Sequence, residues 1–360
     1  MVKHVNPDNE EAAPRRVLRI GSDFSGLDTA VIALRKLVKK VPRLTVHHTH
    51  SCDNNRTCRK IITHNCKPEV FYNNIEKRDC GSVPSCDIYT FAAPCQPFST
   101  AGKGMGVLDP RGLVMFKALE FIAAKKPVAV LSENVPTLMT RHRHVLRFLE
   151  AFMAEQGYTV FSKILATNDF GIPQVRKRWY MMAILSSQCR CSSRTGSIDL
   201  WPKPLATAIP LSTLITPARP SEWRALPETE PARSHVVKAF AKAVAKGVNP
   251  FITPVVVDIG ASPGWTTMQI NKCPTITHGR AATNGYWVST KGARIDTDEL
   301  AMLQGFDPCD VDWQGAAASR SAYAGCLGNA QSLNVVTAVL PHLMFFAKLI
   351  STEEFHAMLS

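Results

Sequence analysis

The sequence predicts an α/β fold: a mostly parallel sheet wound with helices, interrupted late in the chain by a smaller irregular region. Three observations carry this. Short apolar runs alternate with stretches of helical period through the first two thirds of the chain. Several of those runs end in an unusual polar cluster, and open α/β sheets hold their ligands beyond the carboxyl ends of the strands. At about Ser186 the pattern gives way to a stretch rich in Ser, Thr and Pro.

Val17 to Gly21 reads as a buried strand ending in a turn, and Leu27 to Leu37 as the helix that follows. Leu44 to His48 is a weaker strand. Asp87 to Phe91 and Pro127 to Leu131 are further strands, and Tyr158 to Leu165 with Trp179 to Leu185 form a late pair. Ser186 to Pro231 has no sustained period and reads as loop. Lys238 to Lys246 is a short basic helix, Thr253 to Thr290 mixes brief β-prone runs with Gly and Pro, and helical pattern returns at Asp296 to Gln304 and from Ala330 onward. The expected division is 1–185, 186–295 and 296–360, the last segment returning to the first.

Of 360 residues, 45% are hydrophobic and 20% charged, which suits a packed core and excludes disorder as the dominant state. A formal net charge of +13 favours a polyanionic partner, either nucleic acid or an anionic membrane surface; a merely basic enzyme is the other reading. Eleven cysteines, with no signal-peptide pattern in Met1 to Arg16, point to reduced thiols in an intracellular, non-secreted protein. The longest apolar run, Val335 to Ile350, is broken by Pro341, His342 and Lys348, so no membrane span is expected.

Four clusters carry candidate chemistry. Ser22 to Asp28 follows the first strand, where Gly26 lets a ligand approach the backbone at a helix N-terminus, although the glycines of a dinucleotide fingerprint are absent. Asp53, after the second strand, stands where an acid would grip ribose hydroxyls, although a lone Asp there is more often a helix cap. Pro94-Cys95-Gln96-Pro97-Phe98-Ser99 sets a cysteine in a stiffened loop before Gly102, Gly104 and Gly106, an arrangement suited to a rigid nucleophile beside a mobile flap. Most cysteines are buried and inert, and that is the default for the other ten. Glu133, in Ser132-Glu133-Asn134-Val135-Pro136, is a carboxylate at a buried strand end, partly desolvated and suited to donating a proton; a cap or surface acid is the plain alternative. In Gln174-Val175-Arg176-Lys177-Arg178, arginines at alternate positions of an extended chain would share one face and suit a phosphate or base edge.

In this order the clusters DFSG, APCQPFS, SENV and QVRKR, then LQGF at Leu303 to Phe306 and Gly328-Asn329, resemble the cytosine-C5 methyltransferase family, best known for DNA methylation. The resemblance runs along nearly the whole chain and weakens between about Ser186 and Phe251, where the family's target-recognition region also varies. It implies a Rossmann-like methyltransferase sheet with a target-recognition domain inserted near the C-terminal end. It further implies S-adenosyl-L-methionine as cofactor and a monomer acting on double-stranded DNA. By the same resemblance Cys95 would attack C6 of a flipped cytosine, Glu133 would engage N3, and Arg176 would hold the base. Gln96 and Ser99 would belong to the closing flap, with Gln174 and Arg178 near the substrate. Phe24, Gly26, Asp53, Asn74, Pro94 and Asn329 would bind the cofactor, Asn74 standing where relatives usually carry Asp. Two departures stand out: Asp28 replaces a usual glycine, adding negative charge near a cationic sulfonium or capping a helix, and Ala330 replaces a common Ser or Thr.

The competing readings are a tRNA cytosine methyltransferase of the same family and a catalytically silent nucleic-acid-binding homologue. The intact Cys95 and Glu133 favour an enzyme, and a Cys-Phe-Thr tripeptide of the tRNA branch is not found. No zinc or histone-binding module surrounds the core. The expected compartment is the nucleus in a eukaryote and the cytoplasm in a bacterium.

Overall fold

The computed structural model describes residues 15–94, 114–191, 200–262 and 267–360. The first part of the chain alternates as the apolar pattern requires: β1 (Arg16–Asp23), α1 (Thr29–Val38), β2 (Leu44–Cys52), α2 (Arg56–Asn65), β3 (Val70–Tyr72) and β4 (Ile88–Phe91). It continues through α3 (Met115–Lys125), β5 (Ala129–Asn134), α4 (Thr137–Thr140), α5 (Arg143–Glu155), β6 (Tyr158–Ala166) and β7 (Lys177–Leu185). These strands form a seven-stranded sheet in the order β3-β2-β1-β4-β5-β7-β6. Strand β7 runs antiparallel to both its neighbours, and the other pairs are parallel. From β1 the order runs outward to β2 and β3 on one side and to β4 on the other. The crevice beyond the carboxyl ends of β1 and β4 is therefore the topological switch point, where open sheets of this kind bind ligands.

Two strands run further than their apolar runs suggest. Strand β5 reaches Asn134, because β7 pairs with it to the end, Glu133 opposite Tyr180 and Asn134 opposite Trp179. Glu133 thus lies inside the strand rather than beyond it. Strand β2 continues through His48, Thr49, His50 and Ser51, all buried. Polar side chains are tolerated there because they bond to one another and to the backbone. Thr49 Oγ1 donates to the Ile20 carbonyl, and Ser51 Oγ lies 2.8 Å from His48 Nε2.

The later region holds α6 (Ala232–Val244), β8 (Val255–Asp258), β9 (Met268–Ile270), α7 (His278–Ala282), β10 (Tyr286–Val288) and β11 (Ala293–Arg294). Its strands form a separate antiparallel sheet in the order β11-β10-β8-β9. Helix α6 begins six residues before the basic run. Its apolar stripe of Val236, Ala239 and Ala243 packs on Val255, Val257 and Trp287, and Lys238, Lys242 and Lys246 are left exposed. Val256 and Val288 of the same sheet belong instead to the main core, with Ile276 and Tyr286.

The chain closes with α8 (Thr297–Leu303), α9 (Arg320–Asn329), α10 (Leu333–Phe346) and α11 (Thr352–Leu359). Asp296 and Glu299 form a capping box at the start of α8, which explains why the helix begins there. Helix α10 runs on through Pro341 and packs against α1. No helix among the described residues is long and apolar enough to cross a membrane. Cys52, Cys58, Cys66, Cys86, Cys273 and Cys326 are buried thiols.

Candidate active site

The turn after β1 is tightly wound. Phe24, Gly26 and Asp28 all adopt positive φ, at 53°, 59° and 54°. Only at Gly26 is that conformation free of side-chain cost. The Gly26 N–H donates to Asp53 Oδ2 at 2.8 Å, and the Asn55 N–H donates to Asp53 Oδ1 at 2.8 Å. Asp53 is therefore not the helix cap that its position also suggested. Asn55 caps α2, accepting from Thr57 and Cys58, and Asp53 ties the end of β2 to the glycine turn. Burial pushes the Asp53 carboxyl up from its ordinary value, opposed by the two N–H bonds from Asn55 and Gly26.

Asp28 occupies the N-cap position of α1 but makes no side-chain capping bond. Its carboxylate turns inward, accepting from Ser22 Oγ and, at 2.7 Å, from Ser51 Oγ, with His48 Nε2 at 3.6 Å. Asn74 caps a short 3-10 turn, Ile75–Lys77, through a 2.8 Å bond accepted from the Glu76 N–H. Just after it, Arg78 pairs with buried Asp23, which also accepts from Tyr89 Oη. The loop bearing Asn74 is thereby fastened to the end of β1. Nothing in the sequence marked Arg78, because a single arginine in an aperiodic loop has no pattern.

Ser22, Phe24, Gly26, Asp28, Thr90 and Asn329 are among the residues lining a cleft at the switch point, whose enclosed part is about 30 Å³. That is room for roughly one water, so a larger ligand would lie along the open groove. Asn329 reaches it from the end of α9, its Nδ2 3.5 Å from His278 Nδ1. Asp53 joins through Gly26. Asn74 and the half-buried Pro94 are not among the described lining residues. Cys95, Gln96 and Ser99, with Gly102, Gly104 and Gly106, lie outside the described residues.

The second half of the site sits at the end of β5. In the antiparallel pairing of β5 with β7, Arg178 is the diagonal neighbour of Glu133 on the same face. Its Nε lies 3.1 Å from Glu133 Oε1, an ion pair by distance that does not meet hydrogen-bond geometry. Both side chains are largely buried, at 17% and 9% exposed. Beside them, Asn134 Nδ2 donates to the Ala93 carbonyl at 3.2 Å, fastening the end of β5 to the segment that leads into Cys95.

The two arginines do not meet at one point. Arg176 is buried, and its guanidinium donates to the carbonyls of Ile276 at 3.0 Å and Ala330 at 2.8 Å. Gln174 is fully buried as well. It donates to the Leu303 carbonyl at 2.6 Å and to Gln304 Oε1 at 3.0 Å, and Cys273 bridges its backbone. Gln304 in turn donates to the Leu327 carbonyl at 2.6 Å. Gln174, Arg176 and Gln304 thus join the approach to β7, the segment between β9 and α7, and the end of α9. Replacing Arg176 by Met should destabilise the protein by about 3 kcal/mol, by leaving buried carbonyls without donors, whereas Arg178→Met should change urea unfolding little.

Gly328 shows how close this junction is. A Cβ there would overlap the backbone of Thr277 and His278. Gly328→Ala is expected to cost about 1–3 kcal/mol, seen as a lowered thermal midpoint with cofactor affinity falling in parallel. An unchanged midpoint would mean that α9 and the start of α7 are not held this tightly.

The sequence model of the family described as C-5 cytosine-specific DNA methylase matches residues 19–344. The chain belongs to this family. Among its relatives, the type II methyltransferase M.HaeII of Haemophilus aegyptius is 42% identical over 120 residues, 33% of this chain and 37% of that protein. M.NlaIV of Neisseria lactamica is 38% identical over 148 residues, 38% of this chain and 34% of that protein. The matched stretches therefore span about a third of these relatives. The methyltransferase EhMeth of Entamoeba histolytica superposes with a TM-score of 0.63 at 18% identity, covering 94% of this chain and all of that one. DNMT2 of Spodoptera frugiperda does so with 0.62 at 16% identity, over 91% and 99%. At such identities the likeness concerns the fold, and it confirms the Rossmann-like sheet of the family.

Proposed function

We propose that the chain is a DNA (cytosine-5)-methyltransferase using S-adenosyl-L-methionine. The observation that carries this reading is the Glu133–Arg178 pair at the end of β5, joined through Asn134 to the segment entering Cys95. The donor set fits the cofactor. Asp53 keeps free lone pairs for a ribose diol, Asn74 offers a carbonyl oxygen to an adenine amino group, and Phe24, Gly26 and Asn329 flank the groove, with Pro94 three residues beyond β4. When bound, the cofactor supplies an electrophilic methyl group on a sulfonium.

In the reaction, the Cys95 thiolate adds to C6 of cytosine while Glu133 engages N3, and the electron pair released into the ring makes C5 nucleophilic. C5 takes the methyl group; loss of its proton and expulsion of Cys95 restore the aromatic ring. We assign the cation beside the base to Arg178, because Arg176, which the resemblance suggested, is committed to backbone carbonyls. A stacked base is out of reach, so the target would be flipped, with Gln96 and Ser99 closing over it. Gln174 then acts by positioning the strand that bears Arg178.

Duplex DNA carrying 5-fluorocytosine tests this directly, because fluorine at C5 cannot leave as a proton does. The expected result is a denaturation-resistant adduct that requires both Cys95 and the methyl donor. An adduct that survives Cys95→Ser would overturn the assignment of the nucleophile.

The net charge of +13 gains a use in this reading. Lys238 and Lys242 are exposed on α6 and Lys246 just past its end, and Arg141 and Arg143 are exposed after the Glu133 strand. If such groups neutralise phosphates, methylation should fall about tenfold or more between 50 and 200 mM salt. A flat profile over that range would contradict a charge-lined cleft.

A further inference from the structure

We infer that Asp28 is a specificity-determining residue: its buried carboxylate biases the cofactor cleft toward the cationic methyl donor and against the neutral thioether that the reaction leaves behind. The inference rests on the cofactor reading above. Asp28 stands where the family resemblance leads one to expect glycine, and its left-handed φ of 54° is the conformation that glycine adopts freely. A carboxylate has therefore been placed at a strained position, and it caps nothing.

Its surroundings are arranged for an anion. Ser25 Oγ lies 2.6 Å from Ser22 Oγ, Ser22 Oγ donates to Asp28 Oδ1, and Ser51 Oγ donates to Asp28 Oδ2 at 2.7 Å. Hydroxyl dipoles converge on the carboxylate from two strands. The Asp28 side chain is 0% exposed, so its field reaches the cleft through protein rather than water. Asp28 lines the cleft, whereas its basic neighbour His48, 3.6 Å away, does not. The carboxylate is held beneath the turn that lines the cleft, so it acts on a ligand through its field and not by contact. The acid at the end of β1, Asp23, is by contrast matched by Arg78. The positive end of α1 offsets only about half a charge.

The donor and its demethylated product share the adenosine, the carboxylate and the ammonium, and they differ by one positive charge at sulfur. A fixed anion therefore acts on the ratio of their affinities, while a merely structural role acts on both alike. A unit charge felt through an effective dielectric near 20, partly offset by the positive end of α1, predicts a change of about fivefold in that ratio. The test is calorimetric titration of the full chain with S-adenosylmethionine and S-adenosylhomocysteine, for the wild type, Asp28→Asn and Asp28→Gly. Asparagine keeps the shape, and glycine relieves the backbone, so a folded variant is available either way. The expected result is a shift toward the homocysteine by about fivefold in either variant. Both ligands weakened equally, or an unchanged ratio, would overturn the inference alone. A wild type that binds neither would overturn the cofactor reading and this inference with it.

Discussion

Cys95→Ala should abolish methyl transfer, lowering turnover by at least about 10⁴-fold, while leaving cofactor binding within roughly twofold of the wild type. The asymmetry follows from where the two functions reside. Cys95, the proposed nucleophile, follows β4 in the sequence, whereas the groove of Phe24, Gly26 and Asp53 is built from the ends of β1 and β2, and no bond among the described residues of that groove involves the cysteine. Pre-steady-state labelling checks this most cleanly, since it separates binding from chemistry. A variant that still methylates at a tenth of the wild-type rate would show that covalent addition is not required.

Glu133→Gln should lower turnover about 10²–10³-fold with little loss of stability. Glutamine keeps the size of the side chain and can still accept from a neighbour, but it can neither carry the charge that holds Arg178 nor hand over a proton. The pair is diagonal across β5 and β7, so losing the carboxylate should release Arg178 as well. A double-mutant cycle with Arg178→Met measures this coupling: the second substitution should cost much less in the Glu133→Gln background than alone. Fully additive losses would mean that the two side chains act separately on the base.

Much of this arrangement was legible in the amino-acid order because strands that are buried along their length look apolar, and the polar residues that interrupt them stand out. Ser22 to Asp28 and Ser132 to Asn134 were found in that way. What stayed hidden depends on partners far along the chain. Arg176 and Arg178 are equivalent in an extended segment. The pairing of Glu133 opposite Tyr180 selects Arg178, and carbonyls at Ile276 and Ala330, a hundred residues or more away, capture Arg176. Asp53 reads in the sequence more as a cap than as a ligand, and in the fold Asn55 takes that place. The polar half of β2 resembled the end of a strand, and it continues only because His48 and Ser51 find partners at Asp28 and Cys66. Helix α6 begins at Ala232, ahead of the expected Lys238, because its apolar stripe of alanines and a valine marks a helix less strongly than its exposed lysines do.

Labelled methyl transfer from S-adenosylmethionine to duplex DNA, with tRNA in parallel and Cys95→Ala as control, bears most directly on the assignment of this chain as a DNA cytosine-C5 methyltransferase. The account predicts label at C5 of cytosine in duplex DNA, lost in the variant. Label confined to tRNA, or none in either nucleic acid from a protein that still binds the donor, would contradict it.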